Sequence, residues 1–196
     1  MYNTEEYIRL IKENLSAYRF HHSMCVADKA RELAKKYGVD EEKAYVAGIL
    51  HDITKEMPDD EQIRLIEENG HSLTDFEKGN HRIFHQMSGE AYVKNELNIS
   101  DKDILSGIRY HTTGRANMTL FEMIIYLADF TSADRNYPDV DIMREKTDKN
   151  LLEGMLYSLK YTICDVVSHE RILHPDTLSC YNYVINELKL KLKAQE

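Results

Sequence analysis

The chain has 196 residues, room for one domain with a sizeable core and tight for two. At 42% hydrophobic and 30% charged residues it reads as an ordinary globular protein, and its net charge of −9, with no basic stripe, argues against binding long nucleic acids. The longest apolar run, Met123–Ala128, cannot span a bilayer, no basic-then-apolar leader opens the sequence, and Cys25, Cys164 and Cys180 form no CxxC pattern. No membrane association, reduced thiols and a cytoplasmic location are expected.

Nearly every segment carries the helical period. Asn3 or Thr4 can cap a first helix with Tyr7, Ile8, Ile11 and Leu15 on its apolar face. A second is predicted over about Phe20–Tyr37, stopping at Gly38, with His22, Val26, Ala30 and Leu33 on one side and His21 turned away. Asp40 caps a third, whose apolar run ends in His51-Asp52. Pro58 opens a fourth that ends near Gly70, and another is expected from about Asn80 to Leu97. Ser100–Asp103 resembles a capping box with Asp in place of Glu, beginning a helix that ends near His111. Thr119 or Asn117 starts the helix LFEMIIYLADFTSADR. A long helix is predicted over roughly Asp148–Leu173, stopped by Pro175, and Asp176 or Thr177 caps a final one. No alternating strand pattern, repeat or low-complexity stretch is present. The expectation is an all-α fold of eight to ten helices in a single compact domain over residues 1–196.

Asp129 is the residue hardest to explain as structure. It lies in the almost fully apolar MIIYLADF, where a carboxylate needs a cation, a metal or several donors. His22 and His51, each alone, are ordinary core histidines as often as ligands. Together with Asp52, however, His22, His51 and Asp129 make a coherent set of two neutral imidazoles and two carboxylates. Mixed nitrogen and oxygen ligation suits Fe, Mn, Co or Zn, and four protein ligands leave open positions for water and substrate. Lys55 is placed to neutralise a phosphate bound there, and Arg135 reaches the same pocket if the helix after Asp129 continues.

The pattern His22, His51-Asp52, Asp129 resembles the metal-binding pattern of the HD-domain phosphohydrolases. The chain is most similar to their YqeK branch, the symmetrical diadenosine tetraphosphate hydrolases. RFHHSMCVADKARELAKKYG, AGILHDITKEMP, IRYHTTG, YLADFTSADR and HPDTLSCYNYV resemble that branch's motifs in order, over nearly the whole chain. The helical face and the spacing from Arg19 both select His22 over His21.

The resemblance implies that His22, His51, Asp52 and Asp129 bind a divalent metal, iron first, with Mn, Co, Zn or Mg as alternatives. Arg19, Asp52, Ile53, Thr54, Lys55, His85, His111, Thr112, Asp129 and Arg135 are expected to line the nucleotide and phosphate pocket. Asp52, Asp129, Lys55 and His111 are the expected catalytic groups, with His85 a candidate acid; His81, His169 and His174 have no assigned role. The implied reaction is attack of a metal-activated water on a phosphoanhydride, converting diadenosine tetraphosphate to two ADP. A nucleotide monophosphatase, a cyclic-nucleotide phosphodiesterase and a non-catalytic nucleotide sensor are the alternative readings. A small-molecule nucleotide is the expected partner, and a homodimer is compatible with the amphipathic helices.

Overall fold

The computed structural model describes residues 2–194, which form eleven α-helices and no strand. Local capping explains most of the boundaries. Asn3 caps α1 (Thr4–Asn14) by accepting from the Glu6 amide. The second helix, α2 (Ala17–Tyr37), starts a turn earlier than the apolar pattern suggests. Ser16 caps it, and Glu56 in turn accepts from both the Ser16 amide (2.6 Å) and hydroxyl (2.8 Å). Gly38 ends it with φ of +75°, a conformation that costs glycine little. Asp40 caps α3 (Glu41–Leu50), which runs out at His51.

The middle of the chain is more broken than its periodicity indicates. After α4 (Asp59–Glu68), a Thr74/Glu77 capping box nucleates the single turn α5 (Asp75–Lys78), which the sequence reading did not foresee. The helix expected from Asn80 opens as a 3-10 turn at His81–Ile83 before α6 (Phe84–Asn95). α7 (Lys102–Arg109) is capped by Asp101, not through a box at Ser100, because the Asp101 carboxylate accepts from the amides of Asp103 and Ile104. A capping box does occur at Thr119 and Glu122, starting α8 (Leu120–Thr131).

The last third corrects three expectations. α8 stops at Thr131 because Ser132 turns extended, so Arg135 lies in a connection and not on the helix. The polar stretch that follows folds as α9 (Val140–Lys149), and α10 (Leu151–Ser168) begins only after Asn150 breaks the chain with an extended backbone. His174, not Asp176 or Thr177, caps α11 (Pro175–Lys193), its ring nitrogen accepting from the Asp176 amide.

The main apolar cluster draws on α1, α2, α3, α6, α7, α8, α10 and α11, and a smaller one gathers Ile66, Leu73, Ile83, Phe84 and Met87. Fully burying side chains such as Leu33 or Ile125 contributes about 1.5–3 kcal/mol each. One close approach positions the site. A Cβ added to Gly48 would lie 2.5 Å from the Ala27 Cα, so α2 and α3 cross backbone against backbone. That contact brings His22 and His51 side by side. Among the described residues no helix is long and apolar enough to cross a membrane.

Candidate functional site

His22 is buried on the inner face of α2, whereas His21 is exposed. Its ring centroid lies 5.4 Å from that of His51, which lies 5.1 Å from that of His111; His111 is 4.9 Å from His85. The four imidazoles form a chain through the centre of the bundle. Two overlapping sets, His22–His51–Asp129 and His51–Asp52–His111, each bring three ligand atoms within 4.8 Å of one another.

The hydrogen bonds define which ring nitrogens face inward. His51 Nδ1 donates to the Gly48 carbonyl at 2.8 Å, and its buried Nε2 has no hydrogen-bond partner. His111 Nδ1 donates to the Ile108 carbonyl at 2.7 Å. His22 Nδ1 meets Asp134 at 2.8 Å, and its Nε2 lies 3.0 Å from the Asp129 carboxylate. With the Nδ1 proton facing Asp134, the remaining lone pair of His22 points at a second acceptor. Two acceptors at that distance need a cation or a second proton between them. A buried imidazole nitrogen without a partner beside two carboxylates is a set of donors that suits a divalent cation.

Asp52 sits at the crossing of these contacts. One oxygen accepts from Arg19 at 3.0 Å, and the other lies 3.4 Å from His85 and 3.6 Å from His111. Lys55 Nζ is 3.0 Å from His85, and Thr112 Oγ1 is 2.9 Å from His85 Nε2. Arg135 donates to the Asp129 carbonyl at 2.8 Å and pairs with the Asp129 carboxylate. Arg19, Asp52, Lys55, His85, His111, Thr112, Asp129 and Arg135 are therefore gathered with His22 and His51. Ile53 packs into the main core, and the Thr54 hydroxyl donates to the His85 carbonyl at 3.1 Å, tying the turn after His51 to α6. His81 is exposed on its 3-10 turn, and His169 is exposed at the end of α10.

Burial and neighbours set the protonation states. Burial pulls His51 down to about 4, and Asp52 only partly offsets it. Burial also lowers His85, reinforced by the Lys55 ammonium. Burial opposes charge on His22, but the Asp129 carboxylate outweighs it and raises the pKa above the ordinary histidine value. Burial would raise both site aspartates. His51 and Lys55 instead hold Asp52 well below the usual carboxylate range, and Arg135 with His22 does the same for Asp129. Burial lowers Lys55 against the pull of Asp52.

Two contributors escaped sequence reasoning. Asp134 faces His22 across 112 positions of sequence. The buried Gln86 accepts from the amides of Thr112 and Thr113, fixing the turn beyond His111. Asp134 lies within YLADFTSADR, but nothing local marks it as a partner of His22, and the polar partner of each residue comes from a distant segment. Beside Asp129 and Thr112 a cavity of about 270 Å³ opens, with Phe130 and Tyr161 among its walls and Arg82 and Arg171 at its edges.

The HD domain family model matches residues 19–134, a span that includes every gathered residue except Arg135. The symmetrical bis(5′-nucleosyl)-tetraphosphatase of Halalkalibacterium halodurans is 37% identical over 95% of this chain and 100% of its own length. That of Bacillus subtilis is 35% identical over 94% and 98%. This chain belongs to the HD-domain family. Within it, the chain is homologous end to end to the symmetrical tetraphosphatases. A crystal structure of a predicted HD superfamily hydrolase involved in NAD metabolism, from Clostridium acetobutylicum, superposes with a TM-score of 0.92 at 35% identity. It covers 95% of this chain and 99% of its own. With the HD-domain match, the buried His/Asp cluster around His51 and Asp52 is consistent with a divalent metal site.

Proposed function

We propose that this chain, as one HD-type domain, is a metal-dependent hydrolase that cuts dinucleoside tetraphosphates symmetrically, turning diadenosine tetraphosphate into two ADP. Its full-length relatives bear that activity in their names. The structural observation that carries the reading is the partnerless, fully buried His51 Nε2 amid His22, Asp52 and Asp129. These four residues would hold the cation, iron first and Mn, Co, Zn or Mg otherwise. Bound there, it would polarise a phosphoryl oxygen and lower the pKa of an attacking water.

The chain's own groups supply the rest. Arg19, Lys55 and Arg135 ring the cluster and would balance the charge of the tetraphosphate, which grows on the equatorial oxygens in the transition state. Asp52 and Asp129, kept ionised by their neighbours, would orient the water and accept its proton. His85 and His111 share a hydrogen bond between Nε2 atoms at 3.0 Å, so an N–H is held there that would donate a hydrogen bond to the departing phosphate oxygen. The cavity beside Asp129 is small for a ligand pocket and would take one nucleoside, not two. Seating one half of the substrate there, beside Asp129, would bring the bond between its halves toward the cluster, and water addition would yield identical products.

The test is Asp129→Ala and Asp52→Ala, purified with Mn(II) and assayed for bound metal and for turnover. Both quantities are expected to vanish together. Full metal and full activity in Asp129→Ala would overturn the assignment.

A further inference from the structure

We propose that Asp134 is the positioning residue for His22, and that Arg144 on α9 holds the connection that delivers it; the inference rests on the metal reading above. The three inward-facing imidazoles are not oriented alike. His51 and His111 stand at or just beyond helix ends, where each Nδ1 finds the backbone carbonyl three residues earlier, at 2.8 and 2.7 Å. His22 lies inside α2, where the preceding carbonyls are engaged in helical hydrogen bonds. Its Nδ1 must find a partner from another segment, and Asp134 Oδ2 provides it at 2.8 Å. The partner is a full negative charge and not a neutral carbonyl. An anionic acceptor fixes the tautomer and makes the opposite nitrogen a stronger ligand.

Asp134 sits in the irregular connection between α8 and α9, with a side chain only 7% exposed. Such a segment needs an anchor, and Arg144 supplies one. Its guanidinium donates to the carbonyls of Thr131 (3.2 Å), Ser132 (2.8 Å) and Arg135 (2.9 Å). The first two are carbonyls at the end of α8, the third follows Asp134 directly, and together they bracket it. Asp141, one turn earlier on α9, accepts from Arg144 at 2.9 Å and sets the guanidinium in place. One arginine thus closes the loop that carries both the acceptor for His22 and the cation paired with Asp129.

The experiment is titration calorimetry of the metal-stripped full chain with Mn(II) alone, beside melting temperatures of the same samples. Asp134→Ala and the isosteric Asp134→Asn are expected to weaken Mn(II) binding by about 10- to 100-fold. Arg144→Met should weaken it by roughly tenfold, Arg144→Lys by less, and Arg144→Met added to Asp134→Ala should cost little more. Wild-type Mn(II) affinity in Asp134→Asn would overturn the proposal. So would a lowered melting temperature in Arg144→Met with unchanged affinity, or losses that add in the double variant. If the wild type itself shows no Mn(II) binding that His51→Gln abolishes, the metal reading falls and this inference with it.

Discussion

Arg135 grips Asp129 from beyond the end of the helix that carries it. α8 ends at Thr131, the chain turns at Ser132, and Arg135 folds back so that its Nε donates to the Asp129 carbonyl while its Nη2 meets the carboxylate. The same Nη2 lies 3.3 Å from His22 Nε2. The guanidinium therefore stands at the edge of the ligand cluster, half-buried, with its charge directed at the place where a phosphate would arrive. Arg135→Lys keeps the charge and loses the two-pronged geometry. Its expected effect is a fall in kcat/KM of about 100-fold with bound metal retained. Steady-state kinetics with metal analysis check this, and an unchanged kcat/KM would reduce Arg135 to an ion partner of Asp129.

Gly48 makes the site possible without touching it. A methyl at this position would meet the Ala27 Cα at 2.5 Å and its amide nitrogen at 2.9 Å, neither of which is a flexible side-chain end. Gly48→Ala is expected to lower stability by about 1–3 kcal/mol. Because the strain must separate α2 from α3, it should also part His22 from His51 and weaken Mn(II) binding. Denaturant melts and calorimetry test both halves, and a variant that melts and binds like the wild type would contradict the account.

The metal-free protein should lose stability on acidification through its buried imidazoles. His51 stays neutral in the fold down to about 4, while the unfolded chain takes up that proton near 6.5. Its contribution is complete above 6.5 and is lost as pH falls toward 4, an effect on the order of 3 kcal/mol. His85 is lowered and acts in the same direction. His22 is raised, so its pairing with Asp129 stabilises below 6.5 and is lost as pH rises through its folded value. Urea melts of wild type and His51→Gln between pH 4.5 and 7.5 isolate the His51 part. The wild type should show the steeper fall, and parallel curves would rule that contribution out.

The sequence made the site's centre readable because its residues obey local rules. The helical period put His22 inward and His21 outward, and an ionisable residue in MIIYLADF needs a reason that periodicity alone cannot provide. The caps at Asn3, Asp40 and Gly38 follow from side-chain chemistry within three residues. What stayed hidden depends on distant contacts. α9 is a polar segment whose helix is set by packing against α8 and α10, and the partner of Asp134 lies 112 positions away. The end of α8 was equally hidden, since nothing in FTSADR forbids another turn of helix. His174 has no role that the sequence assigns, yet its ring caps α11 while packing on Phe76.

The most direct measurement is chromatographic analysis of the products from diadenosine tetraphosphate, using the purified chain supplied with Fe(II) or Mn(II), with and without chelator. The account predicts ADP as the sole nucleotide product, formed only while metal is present. ATP with AMP in equal amounts would contradict cleavage between the two halves, and turnover that persists in chelator would contradict the metal centre.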